Sequence, residues 1–325
     1  MPRFDEYEVV IIGGGPAGLA AGLYAARALR RTLLIERNFV GGQIALTARV
    51  ENYPGFADGI GGADLAQAMH RQAEQSGMET AYLGVSGIER REDGKLTLHT
   101  DAGDLVARAV VVTAGADPNR LNVPGEERLT GRGVSYCATC DAAFFPEVEV
   151  AVVGGGDAAC DEGLFVTRYA SKVYLVHRRD TLRASQVLQE RVLAEPKIQP
   201  VWNTVVEEIE GEQEVEALRL RNVVTGERSR LPAKAAFIFI GQWPNSDFIG
   251  DLADRDAGRH IIVDLWMQTK TPGVFAAGDV RAQSARQVVS AAGDGATAAI
   301  RADHYLNDHF SERLGAAVPA AERTA

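Results

Sequence analysis

The feature that most constrains this chain is a repeated glycine-rich turn. The segment Gly13-Gly14-Gly15-Pro16-Ala17-Gly18 reappears later in the chain as Gly154-Gly155-Gly156-Asp157-Ala158-Ala159. A short, unbroken apolar run precedes each copy, at residues 9–12 and 148–153. Because these runs are rich in β-branched residues and too short for an exposed helix, they predict buried strands. The chain therefore contains the same local unit twice.

Each glycine turn leads into a segment of helical character and then into a second strand. The predicted helices cover residues 16–29 and 157–169, and the second strands cover residues 32–36 and 172–177. Two parallel strands require such a crossover, and crossovers are almost always right-handed. We therefore predict an α/β protein with two doubly wound, Rossmann-like nucleotide-binding domains, the second inserted into the first.

The predicted domain boundaries lie at two segments rich in turn-forming residues. Residues 116–119 mark the passage into the inserted domain, and residues 241–245 mark the return. The split domain then comprises residues 1–116 and 246–325, and the inserted domain comprises residues 117–245. A length of 325 residues suits two domains. The Ala-rich tail from residue 315 onward is expected to be loose.

Charge and hydropathy narrow the range of partners. A net charge of -10 repels a phosphate backbone, so we expect no nucleic-acid partner. No apolar stretch is long enough to span a membrane, and the first residues lack the apolar core of a signal peptide. We therefore expect no membrane partner and a cytoplasmic location.

The glycine turns are the first candidate binding sites. In this motif the first glycine permits the turn, the second lets a pyrophosphate approach the backbone, and the third lets helix and strand pack closely. The free amides at the start of the helix then bind the phosphates. The candidate cofactor-binding residues are Gly13, Gly15, Pro16, Ala17 and Gly18 in the first turn, and Gly154, Gly156, Asp157 and Ala158 in the second.

The two second strands end in residues of opposite charge. Glu36 can accept hydrogen bonds from ribose hydroxyls, so the first site is predicted to bind FAD or NAD. His177, Arg178 and Arg179, with Arg183 nearby, suit a 2'-phosphate, which predicts NADP(H) at the second site. The alternatives are surface roles: a solvated basic turn, and an ion pair between Glu36 and a neighbouring arginine.

A pair of cysteines separates this chain from a simple dinucleotide-binding protein. Cys137 and Cys140 are spaced for disulfide exchange at a helix start or tight turn. A zinc site is the alternative, but the chain lacks further ligands at suitable spacing, so we expect no metal. Asp141 can move a proton to or from a thiolate, or else cap a helix. Cys160 lies among apolar neighbours and is expected to be buried and inert.

The cysteines lie in the inserted domain, whereas the first glycine turn lies in the split domain. A flavin held by the split domain must exchange electrons with the cysteines and with a nicotinamide bound by the inserted domain. We therefore expect the domains to rotate about the crossings at residues 116–119 and 241–245.

In these motifs and in their order, the chain resembles the low-molecular-weight, bacterial-type thioredoxin reductases of the pyridine nucleotide-disulfide oxidoreductase family. The string Cys137-Ala138-Thr139-Cys140-Asp141 is highly specific to them. The resemblance covers essentially the whole length. The remaining matching segments are Gly41-Gly42-Gln43, Glu51-Asn52-Tyr53-Pro54-Gly55-Phe56, Phe275-Ala276-Ala277-Gly278-Asp279 and Arg286-Gln287.

The resemblance implies an NADPH-dependent reductase of thioredoxin or a thioredoxin-like protein, with FAD in the split domain, NADPH in the inserted domain and a homodimeric assembly. It also implies that the cysteine nearer Asp141 faces the flavin. Asp279 has an independent argument, because it follows a predicted strand at residues 274–277, where ligands of α/β sheets bind. The further flavin-binding residues implied are Gly42, Gln43, Asn52, Gly278, Asp279, Arg286 and Gln287.

Two alternatives to thioredoxin reduction remain open from the sequence. The chain could be a flavoprotein reductase for another thioredoxin-like or peroxiredoxin partner. It could also be a redox-responsive, flavin-binding regulator without physiological turnover.

Overall fold

The computed structural model describes residues 2–47, 49–310 and 312–314, apart from the side chain of Cys140. The predicted loose tail lies outside these residues. The chain divides into two compact units: the first comprises residues up to Asp117 and from Trp243 onward, and the second comprises Pro118–Gln242.

The elements follow in chain order. The strands are β1 Glu6–Ile12, β2 Thr32–Glu36, β3 Glu79–Tyr82, β4 Val85–Arg90, β5 Leu96–Thr100, β6 Gly103–Val112, β7 Ala116–Pro118, β8 Val134–Ser135, β9 Glu149–Gly154, β10 Lys172–Val176, β11 Ile198–Val201, β12 Thr204–Glu210, β13 Ala217–Asn222, β14 Arg228–Pro232, β15 Ala236–Phe239, β16 Gln242–Pro244 and β17 Val274–Ala276. The α-helices are α1 Pro16–Arg27, α2 Gly62–Gln75, α3 Glu126–Leu129, α4 Ala138–Asp141, α5 Asp157–Val166, α6 Gln186–Ala194 and α7 Val288–His309.

The first unit is built on a seven-stranded sheet in the order β3-β2-β1-β6-β5-β4, with β17 also paired to β6. Strand β1 is parallel to β2 and β6, and the meander β4-β5-β6 is antiparallel. Helices α1 and α7 pack against each other and against this sheet. Their close approach requires Gly295, since a Cβ there would lie 1.9 Å from the carbonyl oxygen of Ala17.

The second unit repeats the same arrangement. Its parallel sheet has the order β11-β10-β9-β15-β8, so the strand before the glycine turn is again central. Strand β9 pairs with β10 on one side and β15 on the other, as β1 pairs with β2 and β6. An additional antiparallel sheet, β12-β13-β14, packs its apolar face into a second core. The predicted fold class is confirmed.

The predicted helices end two or three residues too late. Helix α1 stops at Arg27, and α5 stops at Val166. After α5 the Thr167 hydroxyl donates to the carbonyl oxygen of Leu164 (2.7 Å), and the chain turns through residues 167–170 into β10. The residues that we assigned to the last turn of each helix belong to these tight connections.

Two short strands carry the chain between the units. Strands β7 and β16 pair with each other as a two-stranded sheet. On one side the amide of Asn119 donates to the carbonyl oxygen of Gly241 (2.8 Å), and on the other the amide of Asn245 donates to that of Gly115 (3.0 Å). The entry and exit segments are therefore neighbours. Separately, no helix in the described ranges combines the length and apolarity needed to cross a membrane.

Candidate functional site

The first glycine turn connects β1 to α1 and satisfies the expected packing. Gly13 has a φ of +109°, which favours glycine, and a Cβ on Gly18 would lie 1.9 Å from the carbonyl oxygen of Gly13. Helix α1 begins at Pro16 with Gly15 as its N-cap, and no side chain caps it. Its first-turn amides are thus available to an anion.

The second glycine of each motif is not required by the protein itself. Gly15 and Gly156 have ordinary negative φ values of −74° and −99°, and a Cβ on either would meet no protein atom within 4 Å. Neither backbone strain nor internal packing therefore excludes a side chain. Open space above an uncapped helix start is what a bound pyrophosphate needs, so both turns fit dinucleotides.

Glu36 lies against the first turn. One carboxylate oxygen accepts the amide of Gly14 (2.7 Å), and the other accepts that of Asn38 (2.8 Å). The Arg31 side chain instead bonds to the carbonyl oxygen of Glu6. The carboxylate is thus held by backbone amides at the end of β2, with lone pairs left for ribose hydroxyls.

The second turn connects β9 to α5 with comparable geometry. Gly154 has a φ of +153°, and a Cβ on it would lie 2.3 Å from the carbonyl oxygen of Phe239. Ala158 is exposed in the first turn of α5. Asp157 accepts the amide of Ser185 (2.6 Å), so this carboxylate holds the loop that follows β10.

His177 differs from the arginines with which we grouped it. Its side chain is only 4% exposed, and its ring occupies the space that a Cβ on Gly155 would enter at 2.3 Å. Burial, with nearby arginine charges, lowers the pKa of His177, and its Nε2 has no partner in the structure. The ring therefore supports the glycine turn.

The three arginines lie in the segment that follows β10. Arg178, Arg179 and Arg183 are exposed. The amide of Arg183 donates to the carbonyl oxygen of Gly155 (2.6 Å), which folds the arginine segment back onto the turn. Exposed guanidinium groups beside an uncapped helix start can pair with a phosphate on the adenosine ribose.

The loop after β2 folds over the first glycine turn. The amide of Gly41 donates to the carbonyl oxygen of Gly14 (2.8 Å), and a Cβ on Gly42 would lie 3.3 Å from the Cα of Gly15. Gln43 donates through Nε2 to the carbonyl oxygen of Ala116 (3.4 Å).

Predicted site residues from distant parts of the sequence also meet in the first unit. Asn52 donates through Nδ2 to Oε1 of Gln287 (2.9 Å), directly before α7. Asp279 accepts the hydroxyl of Ser284 (3.1 Å), and burial raises its pKa. Arg286 adopts a φ of +55° beside this segment.

Two residues that support this site, Arg281 and Asp294, were not predicted from the sequence. A Cβ on Gly278 would lie 2.9 Å from that of Ala17, so the turn after β17 packs on the start of α1. Asp294 on α7 accepts the amide of Gly278 (3.2 Å), and its two carboxylate oxygens accept Nε (2.7 Å) and Nη2 (2.9 Å) of Arg281. An acidic residue inside an Ala- and Gly-rich helix was the available signal.

The cysteine pair lies in the second unit at the start of α4. Cys137 takes part in a disulfide bond. The Ser135 hydroxyl accepts the amide of Cys137 (3.0 Å) and donates to its carbonyl oxygen (3.1 Å), which fixes the backbone there. The side chain of Cys140 lies outside the described part of the chain, so its pairing with Cys137 stays a prediction.

The structure confirms the expectation that Cys160 is buried but not the capping role considered for Asp141. Asp141 ends α4 and precedes a short 3-10 turn, yet its side chain makes no capping bond there, so the cap interpretation is wrong. Cys160 is buried and free, as expected, and burial raises the pKa of its thiol to about 11. A search of the described residues finds no group of side chains that could hold a metal ion.

Known proteins resemble this chain over most of its length. The family model for pyridine nucleotide-disulphide oxidoreductases matches residues 7–295. The thioredoxin reductase of Listeria innocua is 48% identical over 305 residues, covering 93% of this chain and 94% of that protein. That of Bacillus subtilis is 46% identical, covering 93% and 95%.

Solved structures agree with these relatives. The crystal structure of Lactococcus lactis thioredoxin reductase superposes with a TM-score of 0.91 at 42% identity, covering 93% of this chain and 99% of that one. The crystal structure of T. acidophilum thioredoxin reductase gives a TM-score of 0.89 at 30% identity, covering 94% of this chain and 99% of that one. The resemblance inferred from the motifs is confirmed: the chain belongs to the pyridine nucleotide-disulphide oxidoreductase family and, within it, to the thioredoxin reductases.

Proposed function

We propose that this chain uses NADPH to reduce the disulfide of oxidised thioredoxin. The enzyme is a flavoprotein, and bound FAD supplies two-electron transfer between the nicotinamide and the cysteine pair. The observation that carries this proposal is the combination in one chain of two dinucleotide-binding turns and a disulfide at Cys137.

Each unit has one binding task. The split unit would hold FAD: its glycine turn would bind the pyrophosphate and Glu36 the ribose, and Asp279, Gln43, Asn52 and Gln287 would bind the remainder of the cofactor. The inserted unit holds NADPH, with the three exposed arginines on the 2'-phosphate. The assignment is supported by the charge at the end of each second strand, a carboxylate at β2 and arginines after β10.

The cysteine chemistry then follows from exchange. Two electrons and two protons convert the Cys137–Cys140 disulfide into two thiols. The thiolate of one cysteine attacks the thioredoxin disulfide, and the second cysteine displaces thioredoxin as a dithiol while the cysteine pair closes again. We assign the proton exchange to Asp141, which is adjacent to Cys140 and makes no capping bond. Cys140 is the sulfur we assign to the flavin side.

The decisive experiment uses the purified protein with NADPH and oxidised thioredoxin. Cys137→Ser and Cys140→Ser should each abolish thioredoxin reduction, while NADPH oxidation by an artificial acceptor such as ferricyanide continues. A protein that takes up no flavin, or variants that both keep thioredoxin turnover, would refute the proposal.

The two other functions considered from the sequence are not favoured, because the relatives at 45–48% identity are thioredoxin reductases. We further propose a homodimer, which sedimentation analysis can test. A cytoplasmic location is also proposed, since an enzyme that maintains dithiols acts in a reducing compartment. Rotation about the crossings at β7 and β16 stays a prediction.

A further inference from the structure

Glu162 is a carboxylate on α5 that the proposed mechanism does not use. Helix α5 begins at the second glycine turn and packs against α4, the short helix that carries the end of the cysteine pair. Glu162 lies on the side of α5 that contacts α4, because its partners are there.

Those partners are the first residues of α4. The hydroxyl of Thr139 donates to Oε2 of this carboxylate (3.4 Å), and the backbone amides of Ala138 and Thr139 face the same carboxylate. First-turn amides have no partner within their own helix. One half-buried carboxylate from the neighbouring helix therefore lies against the start of α4.

The contact of Glu162 with α4 places a negative charge near the cysteine pair, where it can affect the stability of a thiolate. Amides at a helix start ordinarily stabilise a nearby thiolate. Here those amides already face an anion, which would repel a thiolate formed beside it. Burial, with the charge of Asp161, raises the pKa of Glu162 to about 7, so the carboxylate is mostly charged at pH 8.

We propose that Glu162 is a positioning residue for the disulfide of Cys137: its negative charge, held at the start of α4 by the Thr139 hydroxyl, disfavours a cysteine thiolate there and thereby favours the disulfide over the dithiol. The reduction itself is unchanged, with two electrons and two protons breaking one S–S bond to give two thiols. The inference deepens the proposed function and rests on it only for its physiological meaning.

The test measures the disulfide–dithiol equilibrium of the FAD-loaded enzyme at pH 8, with neither NADPH nor thioredoxin present. The protein is equilibrated with mixtures of oxidised and reduced dithiothreitol, denatured and alkylated, and the labels are counted by mass spectrometry. With 3 cysteines in the chain, the disulfide form takes up one label, on Cys160, and the dithiol form takes up all of them. Glu162→Gln should shift the equilibrium toward the dithiol about tenfold, which is about 30 mV.

Two controls separate charge from shape. Glu162→Asp keeps the charge, and Asp161→Asn removes an exposed charge from the adjacent position; both should stay within about threefold of the unsubstituted enzyme. A Glu162→Gln equilibrium inside that range, or an equal shift in Asp161→Asn, would overturn the inference. Failure of thioredoxin turnover would refute the proposed function and leave this equilibrium intact.

Should Glu162→Gln not fold, hydrogen exchange in the unsubstituted enzyme decides the matter. Amides of Ala138 and Thr139 that are bound by Glu162 should exchange slowly, although they open a helix of only four residues. Exchange at the rate of unprotected amides would contradict the contact.

Discussion

Gly156 and Gly163 lie near the same end of β9, but their surroundings differ. Gly156 faces open space, whereas a Cβ on Gly163, inside α5, would lie 3.8 Å from Cγ1 of Val152, an ordinary contact. Gly156→Ala should leave the free energy of unfolding unchanged or raise it by about 0.5 kcal/mol. It should raise the KM for NADPH at least about tenfold, because the methyl group occupies the space of the pyrophosphate.

Gly163→Ala is the matched control for this pair. It should raise the free energy of unfolding by up to about 1 kcal/mol and leave the KM for NADPH as it was. Steady-state kinetics and denaturant unfolding of both variants provide the measurement. An unaltered KM in Gly156→Ala would mean that no phosphate approaches this glycine.

The arginines after β10 should decide between the two nicotinamide dinucleotides. Replacing Arg178 and Arg179 together by Ala should lower the preference for NADPH over NADH by about a hundredfold, mostly through the KM for NADPH. Arg230→Ala, an exposed arginine on β14, should change neither value. Equal losses with both nucleotides would point to a structural defect in place of lost phosphate binding.

Glu162 should make stability depend on pH. Its folded-state pKa of about 7 lies above the ordinary value of 4.5, so its favourable contribution is present at low pH and is lost as pH rises through 7. The free energy of unfolding of Glu162→Gln should therefore rise by about 2 kcal/mol, relative to that of the unsubstituted protein, as the pH is raised from 5 to 8. Urea unfolding at both values measures this, with Glu190→Gln on α6 as an exposed control.

At the scale of single residues, the sequence located the basic segment after β10 but did not show which of its side chains are buried. His177 and its three following arginines look alike as a basic segment. The structure separates them because β10 turns the His177 ring inward, into space left by the missing side chain of Gly155. Such complementarity joins residues from two strands and leaves no local pattern in the chain.

Among the elements, α7 has the largest influence on the first site. Its Asp294 binds the amide of Gly278 and the Arg281 guanidinium at the turn that carries Asp279. Asp294→Ala leaves Arg281 without its buried partner, so we expect a loss of about 3 kcal/mol of unfolding free energy. The turn should loosen as well, and FAD should dissociate more readily.

The exposed Asp308, on the same helix, supplies the comparison. Asp308→Ala should keep both stability and flavin content. Thermal unfolding and the ratio of flavin to protein absorbance after gel filtration measure the two effects. Full flavin content in Asp294→Ala would show that the turn needs no support from α7.

Element types were predictable where a pattern repeats and unpredictable where an end depends on context. The strands and helices on both sides of the glycine turns follow from apolar runs and from the turn itself. The termination of α5 at Val166 depends on hydroxyl and backbone bonds in the connection that follows. Helix α4, with four residues, is too short for any periodic signal.

For the molecule as a whole, the repeated glycine turn predicts the architecture of two doubly wound domains. The sheet β12-β13-β14 had no counterpart in that prediction, because the repeat does not extend to this segment, although its strands alternate apolar residues with Glu and Arg that pair across the exposed face. The core beneath that sheet joins it to β9 and β15, so the inserted unit has an apolar interior of its own.

This independence can be tested with residues 118–242 produced alone. The fragment should unfold cooperatively in denaturant and be retained on immobilised 2',5'-ADP, since its cores and its glycine turn are complete. The same fragment with Arg178 and Arg179 replaced by Ala should fold and pass through the column. A gradual, non-cooperative transition would show that the unit needs the remainder of the chain.

The hydrogen-bonded pair β7 and β16 has a consequence for how such a chain can change over evolutionary time. Because the chain leaves and returns on adjacent strands about 5 Å apart, a turn of a few residues could join these two strands if the second unit were removed. Any module whose own ends lie that close together can take its place. The second unit could therefore be exchanged for another domain through this one pair of strands, while the first unit keeps its own sheet.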